Sequence, residues 1–264
     1  MIVMVTFCTF HVDVPPSTQD TIRAVNASFD ALGARQMINL MFRSARRGFP
    51  HCRLVVLTDS SPLLVLEDRD ALIVRDRQVD VSRPMLSRTR AYARFLARAG
   101  DDAEWGDLVL LDADILLAAP IDDIFDGAAF DVALTVREHE MPVNGGVLFV
   151  ARYGARRAGA FLGEAVRRMM AGPPGESAWW GDQRAVWEII APVAVRAMEE
   201  AVEAGGARVR LFPCDPWNFS SKDNYAMPGP YPGRRILHFK GMRKRDMPTY
   251  WERFLRDQPL TTSV

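Results

Sequence analysis

The sequence predicts an α/β fold: a mostly parallel sheet with helices on both faces. Three observations carry this. Short runs rich in β-branched residues alternate with amphipathic helical stretches through the first half, the pattern of strand–helix–strand units. One run, Leu108-Val109-Leu110-Leu111, is apolar without interruption, as a strand covered on both faces must be. At 264 residues the chain is long enough to bury a sizeable core.

Ile2 to Thr9, rich in Val and Thr, predicts the first strand. Met1 to Phe10 lacks a basic leading segment and runs into His11 and Asp13, so it reads as a buried strand and not a signal peptide. After a loop to Pro16, Ser17 or Thr18 caps a helix with Ile22, Val25, Phe29 and Leu32 on one face. Gly33 is expected to interrupt it, Met37, Leu40 and Met41 to continue the stripe, and Gly48 with Pro50 to end it. Arg53 to Thr58 is the second strand, ending in Asp59, and Ala71 to Val74 is a short third. A helix from Ser87 carries Tyr92, Phe95 and Leu96 and stops at Gly100. The central strand follows, and then Pro120 and Asp122-Asp123 open a short helix whose N-terminus the two acids favour. Phe130 to Val136 and Gly146 to Val150 are strands joined by a polar loop that contains Glu138, His139 and Glu140.

In the second half, Gly154 to Met170 has a strong helical period, with Ala158, Phe161, Leu162, Ala165, Val166 and Met169 on one face. Gly172-Pro173-Pro174 breaks it. A helix opening at Gly181-Asp182-Gln183 buries Val186, Ile189 and Ile190, and another is expected over Val193 to Ala204. Val209 to Phe212 and Ile236 to Phe239 are late strands, separated by a loop from Asp215 to Gly233 dense in Pro, Gly and aromatics.

Composition removes several function classes. The 33 basic residues balance the 33 acidic ones, which gives no reason to expect a nucleic-acid partner. Cys8, Cys52 and Cys214 are far apart and odd in number, so neither a disulfide scaffold nor a cysteine metal site is expected. No apolar run approaches the ~20 residues of a membrane span. The expectation is a cytoplasmic protein without a transmembrane segment, and a homodimer stays open.

The chemistry-bearing stretch follows the central strand. Side chains alternate in extended backbone, so Asp112 and Asp114, flanking Ala113, point the same way. Two carboxylates at the end of an apolar strand call for a cation, and oxygen ligands suit Mg²⁺ or Mn²⁺. Four further stretches bear on it. Asn144-Gly145-Gly146-Val147 allows close backbone approach and offers an amide to sugar hydroxyls, and it is equally a turn signal. Asp182, at a helix start, is either a cap or an acceptor for sugar hydroxyls, with Gln183 beside it. His238-Phe239-Lys240-Gly241-Met242-Arg243-Lys244 offers an imidazole ligand, backbone N–H groups at Gly241 and a cation at Lys244 for a phosphate; a solvated basic patch has the same composition. An imidazole beside two carboxylates tilts the metal toward Mn²⁺. Arg94, in Tyr92-Ala93-Arg94, is placed to grip a carboxylate or phosphate, or to make a structural ion pair.

In this order the motifs resemble those of the retaining glycosyltransferases related to glycogenin and the bacterial lipopolysaccharide galactosyltransferases. The resemblance rests on Asp112-Ala113-Asp114, Asn144-Gly145-Gly146-Val147, Asp182-Gln183, His238-x-x-Gly241-x-x-Lys244 and Tyr92-Ala93-Arg94. It implies a Rossmann-like A-type glycosyltransferase fold over residues 1–245, followed by a C-terminal helix and tail at 246–264. Asp112, Asp114 and His238 would bind Mn²⁺ (or Mg²⁺), and Lys244 and Gly241 would hold the diphosphate of a nucleotide sugar, UDP-linked by analogy. Arg94, Asn144 and Asp182 would contact the donor sugar or leaving group, and Gln183 would lie under the anomeric carbon. Thr6, Phe7 and Thr9 at the first strand's exit, with Asp59, would meet the nucleoside. Gly145 stands where the family usually has Ala. The implied activity is hexosyl transfer to a hydroxyl of a glycan, lipid or small-molecule acceptor, with retention of configuration. Two other functions compete. A sugar-1-phosphate nucleotidyltransferase should carry a Gly-rich basic loop after the first strand, and His11 to Pro16 has no Gly, Lys or Arg. A non-catalytic nucleotide-sugar-binding protein of the same fold should have lost metal ligands.

Overall fold

In the computed structural model, the described residues are 1–9, 31–60, 64–80, 82–102, 104–172 and 180–258. The first half contains β1 (Ile2–Cys8), α1 (Ala31–Gly48), β2 (Arg53–Thr58), β3 (Leu72–Arg75), α2 (Pro84–Ala99), β4 (Asp107–Leu111), β5 (Ile115–Leu117), β6 (Val132–Val136) and β7 (Val143–Val150). The second half contains α3 (Ala155–Ala171), α4 (Gly181–Ile190), α5 (Ala194–Glu199), β8 (Val202–Ala204), β9 (Ala207–Pro213), α6 (Cys214–Trp217), β10 (Ile236–His238) and α7 (Met247–Tyr250).

Eight strands form one sheet in the order β3-β2-β1-β4-β7-β6-β9-β8. The parallel and antiparallel pairings orient six of the eight the same way, with β7 and β8 reversed. The carboxyl ends of β1, β4, β6 and β9 therefore share one edge with the start of β7. Strand order turns between β1 and β4, the switch point where open α/β sheets leave a crevice for a ligand.

The alternation inside β4 shows why its sequence is apolar throughout. Leu108 and Leu110 enter the core covered by α2, α3 and α4, while Val109 and Leu111 enter the core covered by α1, β5, β10 and α7. All four are fully buried. At ~25 cal/mol per Å² of apolar surface, these layers supply the main drive for folding.

Several sequence expectations change. Gly33 lies inside α1 and does not interrupt it; one glycine weakens a helix by about 1 kcal/mol, which the buried stripe from Met37 to Met41 outweighs. Helix α2 begins at Pro84, earlier than Ser87, because proline's fixed φ suits a helix's first turn. The helix expected to reach Ala204 ends at Glu199. Residues 202–204 instead pair with β9 across Gly205-Gly206, whose φ values of +57° and +82° make the tight hairpin turn that glycine permits. The Asn144 motif is not a turn before a strand but lies within β7. Ile115 to Leu117, not foreseen as a strand, pairs antiparallel with β10. The loop over 11–16, the cap at Ser17 or Thr18, the helical face at Ile22, Val25 and Phe29, and the Pro173-Pro174 break lie outside the described residues.

Candidate active site

The β5–β10 pairing builds the site. It sets His238 opposite Ile115, and Phe239 N donates to Asp114 O at 2.8 Å. His238 Nε2 then lies 3.2 Å from Asp114 Oδ1 and 3.7 Å from Asp112 Oδ2. One ligand atom each from Asp112, Asp114 and His238 falls within 4.8 Å of the others. Lys244 Nζ lies 3.3 Å from the other carboxylate oxygen of Asp114, Oδ2.

A hydrogen-bond chain fixes the imidazole. Asn218 Nδ2 donates to Thr135 Oγ1 at 2.8 Å and to Asn144 O at 3.3 Å, so its Oδ1 is the acceptor. That oxygen is 2.9 Å from His238 Nδ1, which assigns the proton of a neutral ring to Nδ1. The Nε2 lone pair is thereby turned toward two carboxylates, an arrangement that needs a cation between them. A ring N–H bonded behind the ligating nitrogen is the usual support of a metal-binding histidine.

The electrostatics agree. Burial pushes His238 below the ordinary histidine range, against the pull of Asp114. For Asp114 burial opposes ionisation, yet the neighbouring charges, Lys244 the largest, outweigh it and hold the carboxyl well below the usual range. Lys244 is held cationic in turn, Asp114 overcoming the cost of burial.

A second cluster adjoins the first through Arg88. Its Nη1 donates to Asp112 and its Nη2 to Asp182. Burial disfavours the guanidinium charge, but Asp112 and Asp182 more than offset that, and the pKa rises. Asp182 and Gln183 stand in the first turn of α4. Asp182 Oδ1 and Gln183 Oε1 are buried, with no hydrogen-bond partner among the described residues. They border a small hollow between α2, α4 and the sheet, floored by Leu134, Val143 and Leu148. Arg88 and Lys244 are thus the direct ion-pair partners of Asp112, Asp182 and Asp114.

Strand β7 makes room for both clusters. Leu134 pairs with Leu148, but Thr135 pairs with Asn144, so residues 145–147 bulge away from β6. A Cβ on Gly146 would stand 2.2 Å from His238 Cε1 and 3.1 Å from Asp112 Oδ2. Only glycine fits there. A Cβ on Gly145 would meet Arg88 Nη2, Asp182 Oδ2 and Gln183 Cγ at 3.1 to 3.3 Å, contacts that a small shift relieves. Gly241 is needed for its backbone, with φ at +57°.

Asp112, Ala113, Asp114, Gly145, Asp182, Gln183, His238, Gly241 and Lys244 are thus brought around the end of β4. Thr6 is fully buried within the sheet, Phe7 and Thr9 are half-buried at the end of β1, and Asp59 is buried just past β2. Asn144 is buried and turned inward: Nδ2 donates to Cys214 Sγ at 3.6 Å, and Oδ1 accepts from Gly146 N at 3.4 Å. Arg94 is not in the cluster. It pairs with Asp76 and Gln78 on the flank of α2. At about 100° per residue, six residues carry it some 240° round the helix from Arg88. Arg88 and Asn218 were missed by sequence reasoning. Arg88 had a signal: it precedes Tyr92 by one helical turn and so shares the buried stripe of Tyr92 and Phe95. Asn218, deep in an irregular loop, had none. Glu138 and Glu140 are exposed.

Two carboxylates and one imidazole nitrogen, with Gly146 leaving room for the imidazole ring beside them, fit a divalent metal ion. No protein-family model matches the chain, and no curated protein matches it in sequence. Solved structures do match in fold. The glycosyltransferase GlyE of Streptococcus pneumoniae TIGR4 superposes with a TM-score of 0.55 at 14% identity, over 95% of this chain and 59% of that one. A glycosyltransferase involved in glycosylation of the major capsid of PBCV-1 superposes with a TM-score of 0.52 at 13% identity, over 95% and 98%. The fold is therefore one that glycosyltransferases use, as the motifs led one to expect. Among the described residues, no helix is long and apolar enough to cross a membrane.

Proposed function

We propose that the protein is a metal-dependent glycosyltransferase that moves a hexose from a nucleotide sugar, UDP-linked, to a hydroxyl acceptor with retention of configuration. The single observation that carries this is the convergence of Asp112, Asp114, His238 and Lys244 at the carboxyl end of β4, beside the sheet's switch point. Asp112, Asp114 and the Nε2 lone pair of His238 would hold Mn²⁺ or Mg²⁺, which supplies Lewis-acid neutralisation of charge on the departing diphosphate. Lys244 and the Gly241 N–H add fixed positive potential to the same oxygens. Arg88 holds Asp112 and Asp182 in one orientation. The orphaned Oδ1 of Asp182 accepts from a donor-sugar hydroxyl, and the orphaned Oε1 of Gln183 faces positive charge growing at the anomeric carbon. An amide in that place, where retaining glycosidases put a second acid, favours attack on the face that the leaving group vacates. Asn144 acts by holding the bulge.

The test is thermal shift with UDP, Mn²⁺ and both together, repeated with a panel of UDP-hexoses. A ligand of the native state raises stability with the logarithm of its occupancy. A shift that requires both partners is expected. NMR of the first product should give the retained anomer; an inverted product would remove the retaining assignment, and no joint shift with any nucleotide would remove the function.

A further inference from the structure

The hollow beside Asp182 and Gln183 has a size and a polarity that restrict what fills it. Val186 lies one helical turn further along α4, four residues past Asp182 and three past Gln183, and so shares their face. It walls the hollow together with Leu162 of α3, and Leu134, Val143 and Leu148 of the sheet form the floor. All five side chains are buried. Within this lining there is room for about one group the size of a methyl or a water molecule.

The donors that border the hollow are already spent. Thr89 Oγ1 donates to Met85 O at 2.8 Å, and Tyr92 OH donates to Leu111 O at 3.2 Å. Arg88 gives Nη1 to Asp112 and Nη2 to Asp182. Among the described residues, two buried acceptors stay open at the rim, Asp182 Oδ1 and Gln183 Oε1. A buried acceptor without a donor is costly, so the occupant brings an N–H or O–H to the rim. The apolar floor calls for carbon below it. A water molecule satisfies the rim only with its lone pairs turned on leucine and valine. A sugar hydroxyl has no carbon to place on the floor. An acetamido group has both parts: an N–H and, two bonds further on, a methyl.

The point of attachment follows from Gln183. In the glycosyltransferase reading, Gln183 Oε1 faces C1 of the donor sugar. An amide oxygen has two lone pairs, so the second can accept from an N–H on the neighbouring C2. Asp182 Oδ1 keeps its sugar hydroxyl. The methyl of a 6-deoxy sugar would enter the hollow and bring no donor to the rim. Resting on that reading, we propose that the hollow takes the methyl of a 2-acetamido group, so that the donor is a nucleotide-linked N-acetylhexosamine and not an unsubstituted hexose.

The experiment is calorimetric titration, with Mn²⁺ present, of UDP, UDP-glucose, UDP-galactose and the two corresponding UDP-N-acetylhexosamines. At least one acetamido donor should bind the parent roughly tenfold more tightly than its unsubstituted counterpart. Val186→Ile, which fills the hollow by one methylene, should erase that preference. Val186→Ala, which deepens it, should move the preference toward the N-propionyl analogue. The melting temperature of each unliganded variant shows that affinities are read on folded protein. Equal affinity for the two classes of donor in the parent overturns the proposal, as does a preference that neither substitution moves. Acetamido donors that bind more weakly than UDP itself also overturn it, because the hollow is then closed to the substituent. If UDP with Mn²⁺ fails to bind the parent, the glycosyltransferase reading fails and this proposal falls with it; UDP binding without a sugar preference removes the acetamido assignment alone.

Discussion

Two arginines on the two sides of the sheet make opposite use of burial. Arg47, at the end of α1, donates only to backbone carbonyls. They are Leu117 O at 3.2 Å, Ala118 O at 3.1 Å, Leu255 O, and Gln258 O at 3.3 Å. Its guanidinium also lies 6.0 Å from the Trp251 ring centroid. Burial lowers its pKa with no carboxylate to oppose it. Arg88, in α2, donates to two carboxylates, and they raise its pKa against the cost of burial. One charge sits among neutral acceptors and staples α1, β5 and residues 255–258 together. The other orders anions whose remaining oxygens are unfilled, as Asp182 Oδ1 is. Burial alone does not mark a site; carboxylate and amide oxygens left open where Asp182 and Gln183 border the hollow do.

The comparison is tested hardest at the acidic cluster. Asp114→Asn keeps the shape but removes the charge that His238 and Lys244 face. Donor turnover should fall about a thousandfold, in the range of losing a central electrostatic contact, and Mn²⁺ should no longer bind by calorimetry. Turnover near the parent's would mean that the cluster is a structural ion pair. Arg88→Met comes next. Unbridged, Asp112 and Asp182 lose their common orientation, and kcat should drop about a hundredfold. Arg94→Met, in the same helix, should leave kcat unchanged because its partners are Asp76 and Gln78. The reverse ranking would return the role to the arginine that the motif picked out. Gly146→Ala is smaller again. Its Cβ must displace the His238 ring, so Mn²⁺ affinity should weaken about 10- to 100-fold, as when a ligand's orientation is disturbed.

Much of this was legible in the sequence because short-range rules governed it. Asp112 and Asp114 lie one residue apart just past a strand, so alternation alone predicts a shared direction. Residues 108–111 announce a doubly covered strand because both faces are apolar. What failed depended on distant partners. Ile115 to Leu117 is three residues long, and only pairing with β10 makes it a strand. Asn144-Gly145 reads as a turn locally, but the bulge opposite Thr135 is set by β6 and by the space that His238 occupies. Arg88 and Arg94 are distinguished by helix phase, which the buried stripe carries, whereas the motif match weighed only local identity. His238 could be named a ligand, but its tautomer rests on Asn218, twenty residues away in sequence and without any local pattern.

The structural arginine supplies the last and smallest effect on chemistry. Arg47→Met removes charged donors from the carbonyls of Leu117, Ala118 and Leu255, and each then needs another partner. Hydrogen bonds from charged groups are worth about 1.5 to 3 kcal/mol, and solvent replaces part of that at a half-exposed end. The net loss of stability should be about 2 to 4 kcal/mol by chemical denaturation. Methionine still packs against Trp251, so the core need not collapse. Per folded molecule, kcat and Mn²⁺ affinity should match the parent, because nothing at Arg47 touches the end of β4. A large drop in kcat at full folding would tie the staple to the site through β5, the strand that carries Asp114's neighbour Ile115 to its pairing with His238. Loss of stability alone, set beside lost turnover in Arg88→Met, separates the charge that holds the fold from the charge that arranges the chemistry.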